Sequence, residues 1–246
     1  MVLEISNLGK RYGGLWALQN LNLGIGRGEL RGIIGPNGAG KSTLFNLIIG
    51  RERPTTGKII YQGRNIAGLR PDQRARLGIS IKFQITNVFN GLSVSDNIRL
   101  GIAGCRRGRE EGSGRNGSGS LDDRVSEILE RIGLSGKSGE PAGTLSHGEK
   151  QWLEIGMALA TEPTLLLLDE PTSGMGREET EKTAELIRRL RGELTILVIE
   201  HDMDFVRSVS ERITVLYRGG FLTEGTYDEI KADDRVIEAY LGRGRQ

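Results

Sequence analysis

The sequence predicts an α/β fold on a mainly parallel sheet, and three observations carry the prediction. Short β-branched or leucine-rich runs alternate with helical stretches along the 246 residues. A glycine-rich turn ending in a lysine and two hydroxyl residues, Gly35-Pro36-Asn37-Gly38-Ala39-Gly40-Lys41-Ser42-Thr43, joins one such run to a helix. Farther on, four leucines end in two acids, Leu165-Leu166-Leu167-Leu168-Asp169-Glu170, which is how a buried strand delivers carboxylates to the edge of a sheet.

The first residues differ from the rest. Val2 to Ile5, Trp16 to Ile25 and Lys58 to Gln62 read as strands joined by turns at Gly13-Gly14 and Gly26-Arg27-Gly28, so an antiparallel sheet is expected beside the parallel one. Glu29 to Ile34, Leu165 to Asp169, Thr195 to Ile199 and Ile213 to Leu216 have buried-strand patterns, and helices are expected at Lys41 to Ile49, Arg177 to Arg191 and Asp202 to Val209. Between the two halves of this core lies a helical block, Ser93 to Thr161. Within it, Gly104 to Ser120 is glycine, serine and arginine with almost nothing apolar, so its ordering entropy is not offset by burial. A mobile surface loop is expected there, holding Cys105 and offering Arg106, Arg107, Arg109 and Arg115 to anionic lipid heads or a partner. A helix at Val236 to Leu241 closes the chain. The expected organisation is a single domain over 1–246, with a core formed by 1–90 and 162–246 and a helical part at 91–161.

Composition narrows the function classes. A net charge of +2 from 34 basic and 32 acidic residues offers no basic tract of the kind that grips nucleic acid. No apolar run approaches the roughly 18 to 20 residues needed to cross a bilayer. Met1-Val2-Leu3-Glu4-Ile5 lacks the order of a signal peptide, so a cytoplasmic location is expected. Cys105 is the only cysteine, which excludes an intrachain disulfide and a cysteine zinc site.

The glycine-rich turn fits G-x-x-x-x-G-K-[ST], a nucleoside-triphosphate cradle. Gly35, Gly38 and Gly40 let the backbone bend so that N–H groups along the segment, from Asn37 and Ala39 to Thr43, face phosphate oxygens. Lys41 places a charge on the β- and γ-phosphates, the Ser42 hydroxyl can ligate Mg²⁺, and the helix opening at Lys41 adds its positive end. Asp169 is placed to hold Mg²⁺ through its water shell, and Glu170 to orient or deprotonate a water in line with the γ-phosphate. Neighbouring strand residues face opposite sides, so Glu170 reaches the phosphate only if the chain turns there, and Pro171 supplies a reason for the turn.

Leu145-Ser146-His147-Gly148-Glu149, followed by the helical run Lys150 to Thr161, has the form of a second phosphate site. Ser146 can cap the helix while its hydroxyl and the Gly148 N–H face an anion. Here the chain resembles the ATP-binding-cassette (ABC) family, whose signature reads LSGGQ, and the resemblance covers essentially all 246 residues. It implies a P-loop NTPase fold with an N-terminal antiparallel β subdomain and an α-helical subdomain, ATP and Mg²⁺ as ligands, and ATP hydrolysis. It also implies a head-to-tail dimer with a second ATPase subunit, of the same or a paralogous chain, in which Ser146 and Gly148 meet the γ-phosphate held by the other subunit. By the same resemblance Tyr12 stacks on adenine, Gln84 is the Q-loop residue tied to catalysis and the metal, and His201 is the switch histidine near the γ-phosphate.

Two departures stand out. His147 replaces the third-position glycine and Glu149 replaces glutamine, which brings a carboxylate near a phosphate site unless it points away or pairs with a cation such as Lys150. The D-loop reads Ser173-Gly174-Met175-Gly176, without the aspartate many relatives carry at the last position. Within the family the chain looks like the ATPase subunits of importers for branched-chain amino acids and, more closely, urea or short amides. The residues carrying this are Gly28-Glu29-Leu30-Arg31, Lys82-Phe83-Gln84 with Val88-Phe89, and Leu145 to Gly148 with Lys150-Gln151-Trp152-Leu153-Glu154-Ile155-Gly156-Met157. That likeness implies integral membrane permease subunits, indirectly a solute-binding protein, and a peripheral place on the cytoplasmic face of the membrane. An importer of another small polar solute is one alternative. A soluble cassette working on ribosomes or DNA is a second, opposed by the near-neutral charge and the lack of a coiled coil or zinc cysteines.

Overall fold

The computed structural model describes residues 1–82, 87–106 and 120–241. Strands β1 (Leu3–Tyr12) and β2 (Leu15–Ile25) form a hairpin, and β3 (Leu30–Ile34) leads into helix α1 (Lys41–Ile49). Strands β4 (Thr56–Tyr61) and β5 (Arg64–Asn65) join the hairpin in a four-stranded antiparallel sheet of order β2-β1-β4-β5. Next come α2 (Pro71–Arg76), β6 (Ile79–Lys82), α3 (Val94–Arg106), α4 (Leu121–Arg131) and α5 (His147–Leu159). The chain then runs through β7 (Leu165–Asp169), α6 (Arg177–Arg189), β8 (Thr195–Ile199), α7 (Met203–Val209), the hairpin β9 (Arg212–Tyr217) and β10 (Gly220–Gly225), α8 (Tyr227–Ala232) and α9 (Asp234–Leu241). The second sheet has the order β10-β9-β3-β8-β7-β6 and is parallel except for its β9–β10 edge.

Alternation along β7 and β8 explains why both strands read as continuous apolar runs. Leu165, Leu167 and Leu197 pack with α1 and the antiparallel sheet, whereas Leu166, Leu168, Ile196 and Val198 pack with the helical block and α6. Strands covered on both faces have no polar side to show. The same registers line up the functional ends: Ile33 pairs with Ile199, and Ile199 with Asp169. The turn after β3, the acids ending β7 and the histidine after β8 therefore share one edge of the sheet. The carboxyl ends of parallel strands are where open α/β sheets place ligands.

Helix α1 is held at its far end by a residue that composition would assign to the surface. Arg74 is buried, and its guanidinium donates to the carbonyls of Leu47 and Ile48, closing the C-terminus of α1. Burial pushes it down to about 10, within the range where it still carries its proton at neutral pH.

Several boundaries differ from expectation. Strand β1 runs to Tyr12 rather than ending at Ile5, and β5, β6, β10, α2 and α8 are additional elements. Of the segment expected to be a loop, Gly104 and Cys105 continue α3, Ser120 caps α4 by accepting from Asp123 N–H, and 107–119 lie outside the described residues. Arg107, Arg109 and Arg115 lie outside the described residues, as does Gln84, and the side chain of Arg106 is likewise not described.

Candidate functional site

The glycine-rich turn forms one wall of an open cleft of about 530 Å³ lined by Asn37, Gly38, Ala39, Gly40, Lys41, Ser42, Thr43, Glu170 and His201, together with Leu15, Trp16, Ala17 and Arg218. Gly40 caps α1 in the left-handed region at φ 99°, where a Cβ would lie 2.6 Å from the Ala17 carbonyl oxygen. Gly38, at φ 79°, has nothing within 4 Å of the position a Cβ would take, so the turn stays open towards the cleft. Lys41 is 6% exposed and folds back on its own turn, donating to the Gly35 carbonyl at 2.7 Å and the Pro36 carbonyl at 3.3 Å. Burial holds its pKa below 10.5, and the charges of Glu170 and Asp169 act against that fall.

The two acids sit differently. Burial pushes Asp169 up to about 6, the adjacent Glu170 charge adds to the rise, and Lys82 and Lys41 oppose it. Glu170 turns out of the strand by taking a left-handed backbone, φ 46°, at a cost of roughly 1–2 kcal/mol for a non-glycine residue. The bend expected from Pro171 is therefore made at Glu170 itself, which stays anchored to β8 through its N–H to the Ile199 carbonyl at 2.9 Å. That rotation brings Glu170 Oε1 to 2.8 Å from His201 Nε2.

Buried Glu200 fastens the two loops that carry these groups. Its Oε1 accepts from the Thr172 N–H at 2.9 Å and the Thr172 hydroxyl at 2.6 Å, and its Oε2 accepts from the His201 N–H at 3.1 Å. Sequence reasoning missed Glu200 and Thr172; an acid closing the apolar run Thr195 to Ile199 was the available signal. His201→Ala is expected to lower ATP turnover by roughly 30–100-fold, the worth of one oriented hydrogen bond to a charged group, with little change in melting temperature because the side chain is half-exposed. Steady-state hydrolysis and a thermal melt check this, and unchanged turnover would remove His201 from the chemistry.

Arg218 was also missed. It and Gly219 take successive left-handed conformations, φ 47° and 78°, in the β9–β10 turn, a place where asparagine or glycine is usual. Gly219 donates to the Ala39 carbonyl at 3.2 Å and accepts from the Gln19 N–H at 2.7 Å, which pins the hairpin tip to the glycine-rich turn and sets the Arg218 cation at the cleft. Tyr12, half-exposed and opposite Leu15 in the first hairpin, does not line the cleft; Lys10 Nζ lies 4.9 Å from its ring centre. Gly35 and Asp169 are likewise not among the residues that line the cleft. A larger cleft of about 760 Å³ opens where β7 and β8 begin, next to Arg27, Arg124 and Thr164, and holds none of the expected site residues.

Ser146 and Gly148 lie apart from the cleft, at the start of α5. Ser146 Oγ accepts from Glu149 N–H at 3.3 Å, and Glu149 Oε2 accepts from Ser146 N–H at 3.0 Å, a reciprocal capping box. Glu149 Oε1 meets Lys137 Nζ at 2.8 Å, so the cation that offsets this carboxylate is Lys137 and not Lys150, which donates instead to the Gly143 carbonyl. Burial raises the Glu149 pKa, but the Lys137 and Ser146 hydrogen bonds outweigh it and hold the group below its ordinary value. The Glu149 carboxylate is thus engaged by the Ser146 N–H at the helix cap and by Lys137 Nζ.

The residues present fit a magnesium–triphosphate ligand. The turn is open at Gly38, the Lys41 protons rest on exchangeable loop carbonyls, and Asp169 carries a raised pKa that a nearby divalent cation would relieve. Among the described residues no group of three or more His, Cys, Asp and Glu could hold a metal unaided. A magnesium ion here would be shared among the Ser42 hydroxyl, water held by Asp169 and phosphate oxygens.

Comparison with known proteins agrees with this geometry. The ABC transporter family model matches residues 18–173, and that of the branched-chain amino acid ATP-binding cassette transporters matches residues 222–245. The chain is 38% identical over 249 residues to the high-affinity branched-chain amino acid transport ATP-binding protein LivG of Escherichia coli K12, covering 98% of each. It is 36% identical over 252 residues to BraF of Pseudomonas aeruginosa, a protein with the same description, again covering 98% of each. Among solved structures it superposes on a nucleotide-free ATP-binding cassette from an ABC transporter with a TM-score of 0.85 and 28% identity, covering 98% of this chain and 99% of that one. On the dimeric cassette MJ0796 bound to ADP and Pi the TM-score is 0.77 with 28% identity, covering 92% of this chain and 98% of that one. A cleft that can cradle a triphosphate and similarity to such cassettes over 98% of the chain lead to one conclusion: the chain belongs to the ABC transporter family, as an ATP-binding cassette.

Proposed function

We propose that this chain is the ATPase subunit of an importer for branched-chain amino acids, driving uptake through separate membrane subunits. The observation that carries the cargo is the match of residues 222–245 to the branched-chain cassette model, together with similarity to LivG along the whole chain. Urea or a short amide is the second reading, resting on the motif resemblance of Gly28 to Arg31, Lys82 to Gln84 with Val88-Phe89, and Leu145 to Gly148 with Lys150 to Met157. In this proposal the chain is one domain, with core 1–90 and 162–246 and helical part 91–161, and it sits peripherally on the cytoplasmic face beside the permeases. No helix among the described residues is long and apolar enough to cross a membrane.

In this reading each residue has the role that the family resemblance implies, supported by the cleft that gathers the glycine-rich turn, Glu170 and His201. The backbone from Asn37 to Thr43 and Lys41 hold the phosphates of ATP, and Ser42 and Asp169 hold magnesium; the resemblance alone gives Gln84 a share in the metal and gives the adenine to Tyr12, whose ring lies outside the cleft. Bound magnesium supplies charge neutralisation on the phosphate oxygens. Glu170 takes the proton of the attacking water, with His201 orienting it, and Ser146 and Gly148 of a second chain close over the γ-phosphate. Closure and reopening of the dimer are what the permeases feel.

The test is uptake into liposomes carrying the co-purified membrane subunits and their binding protein, with ATP supplied on the cassette side. ATP-dependent uptake of leucine, isoleucine or valine is expected. Uptake of urea alone would replace the cargo and keep the importer. Co-purification with ribosomes or DNA in place of membrane subunits would overturn both.

A further inference from the structure

The signature segment and the loop after Glu170 lie against each other within one chain. His147 Nε2 is 2.9 Å from the Ser173 carbonyl oxygen and 3.3 Å from the Gln151 amide nitrogen; a carbonyl can only accept, so the shorter contact is a hydrogen bond in the tautomer that carries its proton on Nε2. The same ring covers Gly174, where a Cβ would come within 3.1 Å of Nε2. Gly148 packs on the Glu179 side chain, whose Oε2 accepts from the Gly176 N–H at 3.2 Å. Trp152 Nε1 donates at 2.8 Å to the Thr183 hydroxyl, which lies 3.2 Å from the Met175 sulfur. Each residue from Ser173 to Gly176 is thus met by α5, directly or through one side chain of α6. At its other end the loop begins on the base, since the Ser173 N–H donates to the Glu170 carbonyl at 3.2 Å.

We infer that His147 is a positioning residue for hydrolysis: its Nε2–H holds the Ser173 carbonyl and so ties the phosphate-facing end of α5 to the backbone of Glu170. The two departures from the family pattern then form one feature. A glycine at the third signature position has no side chain with which to reach the loop, and an aspartate at the fourth loop position could reach outward from the loop. This chain has the reverse arrangement, with His147 supplying from α5 the anchor that Gly176 does not supply from the loop. Only two hydrogen bonds, Glu170 to Ser173 and Ser173 to His147, separate the base of one composite site from the helix end that serves the other. The loop, held or released, is the two-state element such coupling needs. The inference rests on the roles proposed for Glu170, Ser146 and Gly148.

Two variants separate the tie from simple packing. His147→Leu keeps bulk and loses the donor, whereas His147→Gln offers an amide N–H to the same carbonyl. In His147→Leu without nucleotide, amide hydrogen exchange across 174–176 is expected to quicken by roughly tenfold, the worth of one net hydrogen bond. Turnover is expected to fall by a similar factor, about tenfold, with KM within about twofold and a lower Hill coefficient for ATP. His147→Gln should recover most of both effects, and thermal melts should stay close to the parent. Parent-like exchange and turnover in His147→Leu would overturn the inference, as would a loss of turnover that His147→Gln does not recover. Ser146→Ala is the control on the underlying assignment: if it hydrolyses ATP normally while His147→Leu still frees the loop, the tie stands and the phosphate role of Ser146 fails.

Discussion

Glu170→Gln is expected to lower ATP turnover by roughly 10²–10⁴-fold, the range a positioned general base supplies, while ATP still binds. The substitution is nearly isosteric, and its amide oxygen can keep the 2.8 Å contact that Oε1 makes with His201 Nε2. The left-handed backbone at φ 46° is held by the bond from Glu170 N–H to the Ile199 carbonyl, which no side-chain change removes. What disappears is one negative charge beside a site built for phosphate. That charge helps to raise Asp169 to about 6, so its removal favours the ionised Asp169 that magnesium requires. Nucleotide affinity should therefore be equal or higher, and the dimer should persist in ATP because reopening needs hydrolysis. Single-turnover hydrolysis, equilibrium nucleotide titration and size-exclusion chromatography with ATP check the three parts. Hydrolysis at the parent rate would mean that another group takes the proton.

How far the sequence revealed this site depended on whether local pattern or tertiary contact decided each residue. Lys41 and Ser42 were legible because the glycine turn is a local device, and Leu165 to Asp169 because a strand covered on both faces must be apolar throughout. The turn at Glu170 was legible as a need but not as a geometry. A residue before proline favours extended backbone, and here the anchor to Ile199 overrides that preference. Glu149 shows the same limit: its cation is Lys137, brought close by the chain between α4 and α5, while the adjacent Lys150 points to the Gly143 carbonyl. Arg74 reads as an exposed residue of a short polar helix, and only the packing of α2 against α1 turns it into a buried cap. Arg218 was hidden for a related reason, since its hairpin meets the glycine turn only through the pairing of β9 with β3, strands far apart in the chain.

Lys41→Met separates binding from stability. The lysine is 6% exposed and its protons rest on the Gly35 and Pro36 carbonyls. Methionine of similar length removes a desolvated charge, which is favourable, and leaves those carbonyls short of a donor, which is unfavourable by about 1 kcal/mol. The net effect on the nucleotide-free protein is expected to lie within about 1 kcal/mol, or roughly 2–4 °C in melting temperature for a chain of this size. ATP affinity should nevertheless fall by roughly 100-fold or more, because in the proposed role the lost group would make charge-assisted hydrogen bonds to two phosphates. The pH dependence has a definite sign. The folded-state pKa of Lys41 is held below the ordinary 10.5, so between that lowered value and 10.5 the unfolded chain binds more protons than the folded one. The parent's stability therefore gains from this residue as pH rises through that window, and the methionine variant has no such gain. Any stability advantage of Lys41→Met should accordingly be largest near neutrality and shrink as pH approaches 10.5. Denaturant melts of both proteins across that range, with a nucleotide titration near neutral pH, decide the matter. An advantage that grows with pH would contradict the buried charge, and undiminished ATP affinity would remove Lys41 from the phosphate cradle.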